Sequence, residues 1–419
     1  MKTPYPLQWL AGILSCWYTF GSRPSVPKDK STVALTSFHG DGYRGNTRIL
    51  FERMCDHPSL KPVWLSRNHK IVQKLKVQFG DERACLTHSL AGIKILNQAS
   101  AVFLTHGTSD YPFMRLPRHA LIIQAYHGLP TKGGEYMRPG NNKRPGFFHR
   151  KILEYRFRPI THFLSSSPLV TGLFSTRFNI PPDRFLETGY PAYDALASYG
   201  ASAHSSSHPS SLSKPSAQNI SKTASNRLSI FWPEAPEAEK LILYAPTFRR
   251  RSRTRWFPFD DFDPDTLAAF LEKNKALMAL RAHPNEGVNI RRFRSISPRI
   301  VSGDHKTVED VFELLSVSDV IMTDYSSIYL EGLLLDIPVV FLPYDLKTYE
   351  RGLSMPFEQM SPGPSVHSQK RLLESLDKAI QQDDGYELHR KKVRGLYFSC
   401  VDGKSTDRVI QFLEASLNC

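Results

Sequence analysis

Two histidines follow apolar, strand-like runs in contexts that suit phosphate chemistry. His127 lies in IIQAYHGLPTKGGEY, residues 122–136. There Gly128, Gly133 and Gly134 give a loop whose amides can approach an anion, and Lys132 adds a point charge. A strand-end imidazole with an ordinary pKa of about 6.5 is partly neutral at working pH and suits general-base work. The alternative is a histidine that only hydrogen-bonds within a turn. His283 lies in ALRAHPNEG, residues 279–287, two positions after Arg281. Alternation along a strand sends both side chains to the same face, where a guanidinium fork and an imidazole can meet one phosphate. A surface arginine beside a loop is the plainer reading of that segment.

A third segment, DVIMTDYSSIYLEGLLL (319–335), runs from an apolar strand into Thr323, Asp324, Tyr325, Ser326 and Ser327 and then into a helix. Hydroxyls and amides at such a junction can hold an anion, or can simply cap the helix. No second carboxylate stands two residues from Asp324, so a metal-binding pair is not expected, and that side chain fits loop fixation or a hydroxyl contact. A fourth segment, LYAPTFRRRSRTRWF (243–257), places Thr247 ahead of Arg249, Arg250, Arg251, Arg253 and Arg255. Five arginines in seven positions make either a solvated basic face or a site for polyanionic acceptor, nucleotide phosphate or anionic lipid. Two weaker pieces are ETGYPAYD (187–194) and DGKSTDRV (402–409), the latter with Lys404 and Arg408 on one helix face.

These residues need elements to position them. Apolar runs at 33–35, 63–65, 101–104 and 121–125 each lead into a more helical stretch. The alternation resumes at 241–246, 276–284, 319–327 and 338–344. Such a pattern predicts α/β architecture with mostly parallel sheets, two Rossmann-type domains and ligands at a groove between the carboxyl ends of their strands. The expected boundaries are an apolar amino-terminal segment 1–27, a first domain 28–197, a Ser-rich linker or insertion 198–229 and a second domain 230–419. The 419 residues, 41% hydrophobic and 22% charged, suit a folded globular chain and exclude global disorder or a multi-span membrane protein. The net charge of +14 points to an anionic partner. Cys16, Cys55, Cys85, Cys400 and Cys419 show no paired spacing, which argues against a zinc module or disulfide framework and favours a reducing cytoplasm. The stretch 7–20, with Trp9, Trp17 and Tyr18, is too short to span a bilayer. It fits either an interfacial anchor or a helix packed on the first domain.

Taken in order, HGLPTKGGE, ETGYPAYD, LYAPTFR, LRAHP, the long segment from Ser318 to Gly352 and DGKSTDRV resemble the CDP-glycerol glycerophosphotransferase family, the teichoic acid primases and polymerases. SFHGDGYRGNTRILFE (37–52) is similar to that family's opening strand and loop. The resemblance covers nearly everything from about Thr32 onward except the Ser-rich tract. It implies a GT-B-like fold and transfer of glycerol phosphate, or a related polyol phosphate, from a CDP-linked donor to a hydroxyl acceptor, with release of CMP. No cofactor and no metal are implied. The family's two catalytic histidines correspond to His127 and His283. Its donor-binding segments correspond to Thr323, Asp324, Ser326, Ser327, Arg351 and Gly352, with Arg281 beside His283. Its last motif corresponds to Asp402, Gly403, Lys404 and Arg408.

The sequence departs from the family in having Tyr126 where the family has Trp, Leu129 where it has Thr, and Phe248 where it has Trp. The implied mechanism is attack of an acceptor hydroxyl on the β-phosphate. His127 acts as base, His283 and Arg281 steady the phosphate, and Ser326 and Ser327 hold the diphosphate. Lys132, Thr247, Arg249, Lys404 and Arg408 are candidate phosphate or acceptor contacts. The expected partners are a CDP-glycerol or CDP-polyol donor, a phosphopolymer or lipid-linked acceptor and an anionic membrane surface at the inner face of the cell membrane, with no nucleic acid. The rival enzyme reading is a nucleotide-sugar glycosyltransferase of the same fold. A nucleic-acid binder built on the arginine run is the rival from another class.

Overall fold

A computed structural model describes residues 10, 13, 30–133, 151, 157–196, 224–249, 253–283, 286–308, 310–349 and 352–417. Most of the 7–20 stretch and of the Ser-rich tract, and Gly134, Arg250, Arg251, Pro284, Asn285 and Arg351, lie outside these residues. The chain divides into two compact units. The first is Met1–Leu129, Asn142–Ala195 and Phe398–Cys419, and the second is Pro130–Asn141 and Leu196–Tyr397. This division departs from the expected boundaries at two places. The carboxyl terminus belongs to the first unit, and the segment just after His127 belongs to the second.

The first unit holds β1 (Thr32–Leu35), β2 (Lys61–Ser66), β3 (Ala84–Leu86), β4 (Ala101–Leu104), β5 (Leu121–Gln124), β6 (His162–Leu164) and β7 (Phe185–Leu186). They form one parallel sheet in the order β3-β2-β1-β4-β5-β6-β7, with Ala34 opposite Val63 and Val33 opposite Ala101. β1 and β4 are buried along nearly their whole length, as strands covered by helices on both faces must be. The covering helices α1 (Asn46–Cys55), α2 (His69–Phe79), α3 (Leu90–Gln98) and α4 (Pro168–Phe178) follow their strands. Local signals start them: Asn68, Ser89 and Ser167 accept the first-turn amides of α2, α3 and α4, and Pro168 at the head of α4 carries no amide to satisfy. Trp64, wholly buried, packs between Tyr43 and Phe51 at ring separations of 4.8 and 5.5 Å.

The second unit holds β8 (Lys240–Tyr244), β9 (Ala276–Leu280), β10 (Ile300–Ser302), β11 (Val320–Thr323) and β12 (Val339–Phe341). Their order is β10-β9-β8-β11-β12, again parallel, with Leu243 opposite Ile321 and Ile242 opposite Met278. Helices α5 (Pro264–Lys273), α6 (Ile290–Arg294), α7 (Ile328–Gly332), α8 (Gln369–Ile380) and α9 (Glu387–Tyr397) accompany it. One face of α8, Leu372, Leu376, Ala379 and Ile380, enters the core that also contains Ile242, Met278 and Met322. Both sheets are doubly wound, and in such sheets the strand order reverses at a switch point where the flanking exit loops part. These points lie between β1 and β4 and between β8 and β11. The expected strand runs all appear. β7 lies just ahead of ETGYPAYD, which reads as a turn-rich strand exit, whereas β3, β6 and β10 were not anticipated, because each is short and lies in no longer apolar run.

The two weak motifs explain why the terminal helix α10 (Ser405–Leu417) belongs to the first unit. Asp194, the last residue of ETGYPAYD, accepts the amides of Ser405 at 3.0 Å and Thr406 at 2.7 Å, and the Thr406 hydroxyl at 2.6 Å. In return Arg408 donates to the Thr188 carbonyl at 3.2 Å and pairs with Asp402. Gly189 has φ +80, and an added Cβ would lie 2.4 Å from the Ser405 Oγ, so this contact requires glycine. The distant carboxylate thus caps a helix that starts without a local cap of that strength. Asp194→Ala removes all three bonds and is expected to lower stability by about 1–2 kcal/mol. Urea unfolding checks this, with Asp194→Asn, which keeps one acceptor, losing less.

Candidate active site

In the first unit the β5 exit turns sharply at Tyr126, whose φ is +55. A non-glycine residue adopts this conformation only when its surroundings enforce it. Asn46, at the head of α1, donates to the Ala125 carbonyl at 2.8 Å and the Tyr126 carbonyl at 3.4 Å, and accepts the Ala192 amide at 3.0 Å. The Tyr126 ring lies 4.6 Å from Phe174 and 4.4 Å from His127. The turn presents His127, whose Nδ1 lies 2.9 Å from the Thr105 carbonyl. A carbonyl only accepts, so Nδ1 carries the hydrogen and Nε2 keeps the lone pair. The residue remains exposed, although its ring is packed among neighbours. Burial lowers its pKa from the ordinary 6.5, opposed by the bond to Thr105 and the charge of Asp110. The Nδ1 partner lies on the neighbouring β4 exit, 22 positions away, and not within the turn that carries His127.

The residues beneath His127 were not singled out from sequence. Asp110, wholly buried, accepts the amides of Thr105 at 2.5 Å, His106 at 2.8 Å and His39 at 2.7 Å, and the Thr105 hydroxyl at 3.1 Å. It therefore joins the loops after β1 and β4, which part at the switch point. Gln124 adds a second tie, donating to the Thr105 carbonyl at 2.8 Å and accepting the Gly107 amide at 3.1 Å. The aromatic rings of His39, His106, His127 and Tyr126 form a column with successive centroid separations of 4.3, 3.7 and 4.4 Å. SFHGDG and THGTSD each place a histidine and an aspartate after a strand. Only the strand order makes those loops neighbours.

In the second unit the β8 and β11 exits are joined around Arg249, which is 4% exposed. Its guanidinium donates to Asp345 through Nε and Nη2, to Asp324 through Nη2 at 2.8 Å and to the Thr247 carbonyl through Nη1. The rings of Tyr325, Tyr344 and Tyr349 lie 5.0–5.5 Å from it. Burial alone would weaken its hold on the proton, but the bond to Asp345 and the charge of Asp324 outweigh that, and the pKa is raised. Among the described residues Arg249 is thus enclosed, which departs from its expected place as a phosphate or acceptor contact. Asp324 also accepts the amides of Thr247 at 2.8 Å and Tyr325 at 2.5 Å, and the Thr323 hydroxyl donates to the Ala245 carbonyl at 2.8 Å. The Thr323 and Asp324 side chains therefore fix the two loops, and the loop-fixing alternative for Asp324 holds.

Ser326 and Ser327 differ from these. Both are half-buried, and neither hydroxyl has a side-chain partner among the described residues. Arg281 donates through Nη1 to the carbonyls of Gly303 at 2.7 Å and Val308 at 3.1 Å, which draws the β10 exit loop against the β9 exit. His283 is exposed and its ring stacks on Phe248 at 5.0 Å and 24°. Thr247 is buried and its hydroxyl has no partner among the described residues. Lys132 and Gly352, 220 positions apart, come together through a bridge from Lys132 to Leu353 and a 3.0 Å bond from the Gly133 amide to the Gly352 carbonyl. Lys404, in the first unit, is exposed, whereas Arg408 is engaged at the α10 cap. No metal-binding group of three or more acidic, His or Cys side chains occurs among the described residues, and no helix among them is long and apolar enough to cross a membrane.

Residues 19–415 match the family model described as CDP-Glycerol:Poly(glycerophosphate) glycerophosphotransferase. The chain is 26% identical over 413 residues to a teichoic acid glycerol-phosphate transferase of Staphylococcus aureus, covering 95% of this chain and 96% of that protein. It is 25% identical over 400 residues to a teichoic acid poly(glycerol phosphate) polymerase of Bacillus subtilis, covering 92% of this chain but only 49% of the polymerase. Among solved structures, a variant of the wall teichoic acid polymerase TagF soaked with CDPG superimposes with a TM-score of 0.74 at 21% identity, over 98% of this chain and 94% of that one. That likeness bears on fold, and it agrees with the expected GT-B-like class.

Removing the enclosed guanidinium tests its structural standing. Arg249→Met leaves Asp324 and Asp345 without their counter-charge and is expected to destabilise the protein by about 3–5 kcal/mol in urea unfolding. An unchanged unfolding midpoint would return Arg249 to the list of ligand contacts.

Proposed function

Because the chain belongs to the CDP-glycerol:poly(glycerophosphate) glycerophosphotransferase family, we propose that it moves glycerol phosphate, or a related polyol phosphate, from a CDP-linked donor to a hydroxyl of a cell-surface polymer or lipid-linked precursor. The observation that carries the reading is the seating of His127, with Nδ1 donating to Thr105 and Nε2 left as the basic nitrogen. The acceptor oxygen attacks the β-phosphorus, and its proton passes to His127 Nε2. The new phosphodiester forms as the bond to the α-phosphate oxygen breaks, and CMP leaves with that bonding pair. Lowered by burial, His127 stays neutral to a more acid pH than an ordinary histidine, so it remains able to accept the proton there.

His283 and Arg281 supply positive hydrogen-bond donors for the phosphate that gains charge, and the hydroxyls of Ser326 and Ser327 hold the diphosphate. Thr323, Asp324 and Arg249 act behind them by fixing the loops. Thr247 adds a buried hydroxyl after β8, while Lys132 and Gly352 bring a cation and a turn to the polyol, with Arg351 as a further donor. Lys404 is a phosphate contact on the first unit, and Arg408 holds its loop through Asp402. Association with an anionic membrane surface, on the cytoplasmic side, belongs to the same reading. It is supported by the net charge of +14 and by the exposed Arg291, Arg292 and Arg294 of α6.

The test is incubation of the protein with CDP-glycerol and CDP-ribitol in the presence of candidate acceptors, with CMP measured. CMP release by the wild type, reduced about 100-fold or more in His127→Ala and in His283→Ala, is the expected result. Release of a nucleoside diphosphate from a nucleotide sugar instead would establish the glycosyltransferase alternative. The acid limb of kcat/KM is expected below pH 6.5, in keeping with the lowered His127 pKa. Sedimentation with anionic vesicles at low salt, reversed by high salt, checks the membrane part.

A further inference from the structure

Directly beneath the proposed base lies a second imidazole. The rings of His106 and His127 stand 3.7 Å apart with their planes 3° from parallel. Both are tethered to one residue: His127 Nδ1 to the Thr105 carbonyl at 2.9 Å, and His106 Nδ1 to the Thr105 hydroxyl at 2.9 Å. Thr105 is itself fixed by Asp110 and by the Phe38 amide, which reaches its hydroxyl at 2.9 Å. The stack therefore follows from two hydrogen bonds to a rigid strand exit. His106 is half-buried and His127 exposed.

We propose that His106 is a positioning residue for the transfer, a ring that fixes the plane of His127 and holds it in the neutral form that can accept a proton. This rests on the reading of His127 as base. Two imidazolium rings 3.7 Å apart would repel, so a proton on one ring disfavours a proton on the other. The other charged and titratable groups facing His127 are Asp110 on the β4 exit, His39 on the β1 exit turn and Arg177 on α4. Asp110 favours a proton on His127, and the other two oppose it. Phe38, at 5.9 Å from His127 and covered by Arg44, and Tyr126 complete the ring contacts. The proton taken from the acceptor thus meets a neighbour that disfavours its retention, which promotes its release to solvent after each turnover.

Two variants of the full chain separate ring packing from charge. His106→Phe keeps a stacking ring and removes the titrating partner, and His106→Ala removes both. The His127 ring signal, assigned by its loss in His127→Gln, is titrated by NMR, and CMP release from CDP-glycerol is followed in parallel with the thermal midpoint. In His106→Phe the His127 titration is expected to move to higher pH with kcat within about threefold of wild type. In His106→Ala, kcat is expected to fall about tenfold or more with KM for CDP-glycerol unchanged. An unmoved His127 titration in His106→Phe, or wild-type kcat in His106→Ala, overturns the proposal. The titration decides it whether or not the wild type releases CMP, and an inactive wild type would count against the transferase reading alone.

Discussion

Each unit depends on one constraint: where a parallel strand ends, the amides of the departing loops must find partners, and at the switch point two such loops part in opposite directions. The same solution appears twice. Asp110 bridges the β1 and β4 exits by accepting amides of His39, Thr105 and His106. Asp324 bridges the β8 and β11 exits by accepting amides of Thr247 and Tyr325. A carboxylate suits the position because it only accepts, has room for several donors and cannot compete with the amides for acceptors. The site side chains project from loops that these two groups close.

The two carboxylates are balanced differently. Asp110 sits among backbone amides, a hydroxyl and nearby imidazoles, so its charge is spread over neutral donors. Asp324 shares a guanidinium with Asp345 inside a wall of tyrosine rings. A buried ion cluster of this kind contributes little net stability against a hydrophobic replacement but penalises any arrangement that leaves one charge unpaired. It therefore fixes geometry. That is a reasonable use of charge next to hydroxyls that need defined positions, since phosphoryl transfer relies on orientation and electrostatics.

The family motifs accordingly divide into groups that face outward and groups that hold the loops. In TDYSS, Thr323 and Asp324 face inward and Ser326 and Ser327 keep their hydroxyls uncommitted among the described residues. In the arginine run, Arg249 is enclosed while Arg253 and Arg255 are exposed. ETGYPAYD and DGKSTDRV, separated by more than 200 residues, are two sides of one helix cap. None of these divisions follows from residue type, because an arginine or aspartate reads the same in sequence whether its partner is a ligand or another side chain.

The sequence alone determined the class of fold and the family. Apolar runs alternating with amphipathic stretches dictate parallel α/β units, and the ordered motifs resemble those of the family to which the chain belongs. Short strands such as β10, of three residues, escaped it because no longer apolar run surrounds them. Strand order, the tautomer of His127 and the ring stack on His106 were decided only by tertiary structure. Each depends on which distant loops meet: Thr105 and His127 are 22 positions apart, Arg249 and Asp345 are 96. Local spacing carries no record of a neighbour brought in by the sheet.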